Sequence, residues 1–315
     1  MAAGDLDGRS AIRQEWVMPP PPETVYLPFE SGPYRMAMAL TTVPEGAWFE
    51  IDARYGYEMA ERRRLLAERH TDVFGALPES DAARAETLRE VVANLTTYFP
   101  QWFTRDDDRL LNVLTGEVWD LGEPPCDPLE LAGRLVQEDL CIIRPAEDGP
   151  RFIAAVLCFP SRWRLHDKLG RPLAEVHGPV PLYADRLAKP VDRFMRHVKP
   201  GHVAQRLNWS LLDDPALFQT GGHGREGTNP AITAENAGET LHLRVERQTL
   251  RRLPRSETVL FGIRVHVHQL GRVIGTPALA ARLAEAIRAL PQEINRYKSL
   301  GTFRAAVLGW LDAKR

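Results

Sequence analysis

Apolar residues recur with a helical period in several segments of the chain. Between Asp81 and Tyr98, the residues Leu88, Val91 and Leu95 fall at helical spacing, which predicts an amphipathic helix. Asp127 is predicted to cap another helix, with Pro128 at its first position and Glu130 completing a capping box. Further helices are predicted around 57–70, within 163–198, from Thr276 and around 303–311.

Other segments alternate between apolar and polar residues, which is typical of strands. Val259, Phe261, Ile263, Val265 and Val267 lie on one face of one such segment. Further strands are predicted at 34–43, 48–51, 140–144, 151–159, 203–211 and 241–250. Because the strands cluster instead of alternating with helices, the pattern predicts an α+β protein with an antiparallel or mixed sheet and surrounding helices.

The ends and one central loop differ from the rest of the chain. Residues 1–23 end in four prolines and are predicted to form a flexible arm, so that 24–315 form a single domain. The stretch 220–239 is rich in Gly, Asn and Thr and is predicted to be an exposed loop. Such a loop is either a lid over a site or a disordered connection.

Charge and composition exclude several classes of protein. The chain is 44% hydrophobic and 26% charged, as globular proteins are, and its net charge of −2 provides no basic field for nucleic acid. No apolar run approaches the roughly 20 residues that a membrane span needs. Three cysteines without a CxxC pair argue against a disulfide framework, a zinc cluster or covalent haem attachment. The start of the chain does not resemble a signal peptide, so we expect a cytoplasmic protein.

A literal dinucleotide pattern occurs in the loop, running from Gly222 through Gly224 to Gly227. A true fingerprint leaves a buried strand and opens a helix, whereas this one is preceded and followed by polar residues. We therefore expect no nicotinamide or flavin site here. If the protein is a redox enzyme, its electrons must come from another protein.

The strand at 241–250 places unlike side chains on its two faces. Leu243 and Val245 point one way, while Arg244, Glu246 and Gln248 point the other, together with His242. A column of charged groups on a sheet needs water, a ligand or mutual partners. Two interpretations remain open: an exposed face with a cross-strand ion pair, or a pocket in which Glu246 holds a cationic amine.

Histidines offer two candidate metal ligand sets. His266 and His268 share one face of a strand, as in some mononuclear iron sites, but the carboxylate ligand is missing and Arg264 lies on the same face. His177 precedes a Gly-Pro-Val-Pro turn, and a neutral imidazole is the usual axial ligand of haem. Rivals for that role are His166, His197, His202 and the thiolate of Cys158.

Several motifs in order along the chain resemble the haem-dependent oxidative N-demethylases. The central signature is Cys-Phe-Pro-Ser-Arg-Trp at 158–163, Lys-Leu-Gly at 168–170 and Val-His-Gly-Pro-Val-Pro at 176–181. Flanking matches are Leu-Pro-Phe at 27–29, Trp-Phe-Glu-Ile-Asp at 48–52, Arg-Leu-Asn-Trp-Ser at 206–210 and the stretch 244–256. The likeness covers about 25–312.

The resemblance implies a PAS-like core at about 135–270 that binds haem b without a covalent bond. It further implies O2-dependent removal of a methyl group from a small secondary amine as formaldehyde, with electrons from a flavin and iron–sulfur reductase. The implied roles are His177 as axial ligand and Glu246 facing the amine. Candidate propionate partners are Arg206, Arg244 and Arg264, and candidate pocket walls are Trp163 and Trp209.

Three alternatives to a haem enzyme remain. A PAS-like sheet also suits a haem or small-ligand sensor without catalytic activity. A non-haem iron enzyme would use His266 and His268. A family member that has lost haem is the third.

Overall fold

The main element of the structure is a seven-stranded antiparallel sheet, in a computed structural model that describes residues 18–221 and 224–314. Its spatial order is β1-β8-β9-β10-β6-β7-β2. These strands are β1 (Thr41–Val43), β2 (Phe74–Ala76), β6 (Asp139–Arg144), β7 (Arg151–Val156), β8 (Val203–Leu212), β9 (His242–Arg252) and β10 (Val259–Gln269). A separate three-stranded sheet contains β3 (Phe103–Asp106), β4 (Arg109–Asn112) and β5 (Glu117–Asp120). The predicted α+β class with an antiparallel sheet is confirmed.

Helices surround the sheet and connect its strands. The helices before β8 are α1 (Tyr55–Glu68), α2 (His70–Val73), α3 (Asp81–Tyr98), α4 (Pro128–Gly133), α5 (Leu173–Val176), α6 (Tyr183–Arg186) and α7 (Ala188–His197). Those after β8 are α8 (Ala237–Thr240), α9 (Leu270–Val273), α10 (Pro277–Ala289), α11 (Gln292–Tyr297) and α12 (Arg304–Asp312). None of the helices within the described ranges is long and apolar enough to cross a membrane.

Capping residues explain where two of the predicted helices begin. The Asp127 carboxylate accepts a hydrogen bond from Leu129 N at 2.8 Å, which places the start of α4 as predicted. The second half of the predicted capping box is wrong, because the Glu130 carboxylate contacts His70 at 2.8 Å and Arg134 at 2.7 Å instead. Thr276 caps α10 in the same way as Asp127 caps α4.

The strands predicted before α1 are mostly wrong. Only Thr41–Val43 of the predicted segment 34–43 is a strand, and 48–51 forms none. Trp48 and Phe49 are buried and stacked at 4.3 Å, so their apolar character reflects core packing without strand pairing. The small second sheet was not predicted, because its four-residue strands are largely exposed and carry no clear alternation.

The seven-stranded sheet has two faces of different character. One face carries Arg247, Arg264, His266 and His268 between two large apolar clusters, and we call it the His266 face. The opposite face carries Arg206, Asn208, Arg244, Glu246 and Gln248, and we call it the Glu246 face. On the Glu246 face, Ile263 and Val265 of β10 belong to the first large apolar cluster, and a small cluster that includes Leu173 of α5 and Met195 of α7 covers another part. Asn208, Glu246 and Gln248 stay half-buried, so the sheet leaves these polar groups together in a less densely covered part of this face.

The predicted arm and loop lie partly within the described residues. At the end of the arm, Pro21 O accepts a hydrogen bond from Ala53 N at 2.8 Å, and Trp102 donates to Met18 O. In the loop, Ile232 is buried and Asn229 N bonds to Thr302 O at 2.8 Å. Residues 1–17 of the arm, and Gly222 and His223 of the glycine pattern, lie outside the described residues.

Candidate functional site

Two neighbouring antiparallel strands build the floor of the candidate site on the Glu246 face. Their register places Asn208 of β8 opposite Glu246 of β9, and Arg206 opposite Gln248. Residues directly opposite each other in an antiparallel pair point to the same side of the sheet. The alternation of side chains along β9 thus places the column of Arg244, Glu246 and Gln248 on one face, as the sequence predicts.

Two amide side chains hold the Glu246 carboxylate in place. Its Oε2 accepts hydrogen bonds from Gln248 Nε2 at 2.7 Å and from Asn208 Nδ2 at 3.3 Å. Burial and the nearby charge of Glu246 together raise the pKa of the Tyr297 phenol to about 12. The carboxylate is oriented by these two neutral groups, and its charge acts on the neighbouring cations Lys298 and Arg206.

Lys298 brings an amino group to the same carboxylate from the segment after α11. Its Nζ donates to Trp209 O at 2.5 Å and lies 3.4 Å from Asn208 Oδ1. Burial lowers the pKa of Lys298 to about 8, although the charge of Glu246 opposes that shift. The sequence analysis missed this lysine, because nothing in the local pattern around it indicates burial beside a distant strand.

Arg206 is a partly buried cation beside Glu246. Burial lowers its pKa, while Glu246, Tyr34 and Tyr183 act in the opposite direction. Its Nε is buried and has no hydrogen-bond partner, and the hydroxyl of Tyr183 is likewise buried without a partner. Because no nitrogen of the Arg206 guanidinium makes a hydrogen bond or close ion pair to the described residues, an additional polar or anionic group would satisfy it.

His177 follows α5 and approaches this site from the segment that covers the Glu246 face. Its Nδ1 lies 2.9 Å from Leu173 O, and its ring stacks on Tyr183 with centroids 4.4 Å apart. Burial, together with the charges of Lys168 and Arg206, lowers the pKa of His177 to about 4. The ring is therefore neutral at neutral pH, donates from Nδ1 to the carbonyl and keeps the lone pair on Nε2 as a ligand.

Two of the predicted propionate partners already have other partners. The Arg244 guanidinium donates to Ser161 Oγ at 2.8 Å and to four carbonyl oxygens, among them Phe159 O at 2.8 Å. Arg264 lies on the His266 face, where Asp52 and Glu58 each pair with it at 2.7 Å. The Nε atoms of Arg206 and Arg264 both lack a hydrogen bond, but Arg206 differs from the other two because none of its guanidinium nitrogens makes a hydrogen bond or close ion pair to the described residues.

The two candidate tryptophans lie on different sides of the sheet. Trp163 lies near Lys168, whose Nζ is 5.2 Å from the ring centroid, and thus on the side of His177. Trp209 alternates away from Asn208 and packs edge-on against Phe29 at 5.9 Å on the opposite side. Trp163 packs edge-on against Phe152 of β7, which lies three strands from β9 in the sheet.

The rival axial ligands have different surroundings. His166, His197 and His202 are exposed. Cys158 is buried, and burial raises the pKa of its thiol to about 12, so a thiolate is disfavoured there. His177 alone among these candidates combines burial with an oriented, neutral ring beside the charged column.

The arrangement offers an imidazole nitrogen, an incompletely paired guanidinium and an oriented carboxylate around one region. These groups suit a metal-containing ligand with anionic substituents, next to a small cation. The comparison with known families agrees with this chemistry. A model of the family described as haem-dependent oxidative N-demethylase, alpha subunit-like, matches residues 39–308.

Proposed function

The chain belongs to the haem-dependent oxidative N-demethylase, alpha subunit-like family, and from that premise we propose that it removes a methyl group oxidatively from a small secondary amine. The observation that carries the proposal is the neutral His177 ring, whose Nδ1 is oriented by Leu173 O beside the charged column of β8 and β9. We further propose that the sheet corresponds to a PAS-like core and binds haem b without a covalent bond.

The residues present fit a haem. His177 would bind the iron through Nε2, since hydrogen bonding of Nδ1 to a carbonyl fixes the tautomer and the ring orientation that axial ligands use. Arg206 would pair with a propionate and so give its buried Nε a partner. Tyr183 would support the His177 ring by stacking.

Glu246 would bind the protonated amine. Its carboxylate is held by Gln248 and Asn208, so it presents a fixed negative charge to a cation of the size of dimethylammonium. Burial of Lys298 nearby lowers its pKa to about 8, which places it in the range where it takes up or gives up a proton near neutral pH. Trp163 would form an apolar wall on the side of His177.

The overall reaction consumes O2, two electrons and two protons and yields the shorter amine, formaldehyde and water. Haem supplies the binding and activation of O2 when it is bound. One oxygen atom enters a methyl C–H bond, and the resulting carbinolamine breaks its C–N bond to release formaldehyde. The family description names an alpha subunit, which supports a partner that delivers the electrons. We propose a flavin and iron–sulfur reductase for that role.

The first test is the visible spectrum of the purified protein after addition of hemin, before and after dithionite. We expect His177→Ala to weaken or shift the haem band of the wild type. His197→Ala is a matched control, because its Nδ1 also bonds to the carbonyl four residues earlier but its ring is exposed. A band that both variants leave unchanged would move the axial ligand to another residue.

Formaldehyde release from dimethylamine, with a chemical or protein electron donor, tests the reaction itself. Turnover that requires O2 and hemin supports the proposal. Haem binding without formaldehyde release for any small secondary amine would contradict it and favour a sensor. Absence of haem binding would contradict the haem enzyme as a whole.

A further inference from the structure

A second group of ligand atoms lies on the other side of the sheet, away from Glu246. His266 and His268 are two residues apart on β10 and thus project from the same face, with ring planes 12° from parallel. Glu23, from the segment before β1, reaches them: its Oε1 lies 3.1 Å from His266 Nδ1 and 3.7 Å from His268 Nε2. The three residues each offer one ligand atom, and these atoms lie within 4.8 Å of one another.

Glu23 supplies the carboxylate that the sequence pattern of the strand lacks. It precedes His266 by 243 positions, so no local pattern relates the two residues. Arg264 is a cation on the same face, and Asp52 and Glu58 each pair with it at 2.7 Å. Its charge still disfavours a positive charge on both histidines, and the carboxylate of Glu23 acts in the opposite direction.

The His268 side chain provides an independent sign of a missing ligand. Its Nε2 is buried and makes no hydrogen bond to the part of the chain that the structure describes. A buried ring nitrogen without a partner costs free energy, and coordination of a cation would satisfy it. Nothing else in the described structure gives this atom a role.

His266 has the second hydrogen bond that ligating histidines usually have. Its Nε2 lies 3.0 Å from Glu50 Oε2, and Glu50 in turn accepts from Tyr26 and pairs with Arg247 at 3.5 Å. In the metal-free protein Nδ1–H donates to Glu23 and Nε2–H to Glu50; an ion that replaces the Nδ1 proton would bind the Nδ1 lone pair, while Nε2–H stays on Glu50. This is the carboxylate–histidine arrangement that orients ligands in zinc and iron sites.

We propose that Glu23, His266 and His268 bind a divalent first-row transition metal ion, in the manner of a two-histidine, one-carboxylate site. Ligand atoms about 2.1 Å from one ion lie about 3.0–3.5 Å apart at tetrahedral or octahedral angles, close to the two measured separations. Two imidazoles and one carboxylate suit Zn²⁺ or Fe²⁺ and disfavour Mg²⁺ and Ca²⁺. This site is distinct from the proposed haem site and does not depend on it.

Solvent has a path to the proposed ion. A cavity of about 280 Å³ is lined by Glu23 together with Arg54, Tyr57, Glu58 and Val267. The side chains of Glu23 and His268 keep 17% and 13% of their area exposed. The three protein ligands thus leave a position for water or a further ligand. The ion would also link β10 to the segment that precedes β1, because Glu23 lies in that segment.

The test uses the untagged full-length chain, freed of metal by a chelator and prepared without haem. Zn²⁺ binding is followed by calorimetry, and Co²⁺ binding by its visible bands, which report nitrogen and oxygen ligands. We expect one ion per chain for the wild type. Glu23→Gln and His268→Ala should each weaken binding by at least about 100-fold, more than the 10–100-fold typical of outer-shell changes. The control His202→Ala, at an exposed histidine, should bind as the wild type does.

Thermal unfolding with and without Zn²⁺ verifies that the variants fold. Glu23→Gln keeps an oxygen that accepts a hydrogen bond from His266, so loss of binding in this variant does not report loss of structure. Zn²⁺ should raise Tm for the wild type and the control but not for the two ligand variants. No binding by the wild type, or equal binding by all four proteins, would overturn the proposal. Hemin titrations of the same proteins give the haem result separately.

Discussion

Replacement of Arg206 by methionine should separate haem binding from folding. Methionine keeps much of the length of the side chain and removes the charge. In the haem-free protein the Arg206 Nε is buried without a partner, and burial lowers the pKa of the guanidinium, so little stabilising energy is lost. We expect the free energy of unfolding of the haem-free Arg206→Met variant to fall by less than about 1 kcal/mol, as for positions without a paired network.

The affinity for haem should respond differently. A hydrogen bond to a charged group contributes about 1.5–3 kcal/mol. Since about 1.4 kcal/mol corresponds to a factor of ten, loss of the propionate contact should weaken hemin binding by about 10–100-fold. Titration of the haem-free protein with hemin, followed by absorbance, measures this affinity, and urea denaturation measures the stability.

The control for this experiment is Arg255→Met, at an exposed arginine in the turn between β9 and β10. It should change neither quantity. Two results would refute the reasoning. Hemin affinity equal to that of the wild type would show that Arg206 does not contact a propionate. A loss of about 3–5 kcal/mol in the haem-free protein, typical of a broken buried ion pair, would show that Arg206 is already paired.

Three further predictions concern the site and the core. Glu246→Gln should weaken binding of a small secondary amine to the hemin-loaded protein by about 10–100-fold, because the amide lacks the charge. Difference spectra measure this affinity. Equal affinity in Glu246→Gln and in the control Glu257→Gln, at an exposed glutamate, would contradict the prediction. Burial lowers the pKa of His177 to about 4 from 6.5, so its contribution to stability is complete above pH 6.5 and is lost as the pH falls toward 4. The free energy of unfolding, measured with urea, should therefore differ less between pH 7 and pH 5 for His177→Gln than for the wild type. An equal difference in the two proteins would argue against a buried neutral ring. Asp139→Asn should lower the free energy of unfolding by about 3–5 kcal/mol, because Asp139 pairs with the fully buried Arg62 at 3.0 Å and accepts two backbone hydrogen bonds. The control Glu68→Gln, at an exposed ion pair, should lower it by at most about 1 kcal/mol. Similar urea midpoints for the two variants would refute this prediction.

Elements with a strong periodic signal could be predicted from the sequence, and short ones could not. The bounds of α3 match the predicted Asp81–Tyr98, and Leu88, Val91 and Leu95 repeat at helical spacing over two of its turns. The central strands β8, β9 and β10 could also be predicted, because few structures besides a half-buried strand produce alternation over ten residues or more. The three-stranded sheet was missed, since each strand has only four residues, and only Phe103 and Leu110 of them join the buried apolar core.

The sequence alone determined the family likeness, the α+β class and the face on which Glu246 lies, because these follow from motifs, from the clustering of strands and from the two-residue period of a strand. It left open whether the sheet is antiparallel or mixed. Tertiary structure decided which charged groups meet there. Arg206, Arg244 and Arg264 are alike in sequence character, yet Arg244 and Arg264 have hydrogen bonds or ion pairs to nearby groups, whereas the Arg206 guanidinium makes none to the described residues. In the same way, Lys298 and Glu23 reach their clusters from segments far away in the chain. The physical reason is that contact between distant residues depends on packing across the sheet, which no local periodicity encodes.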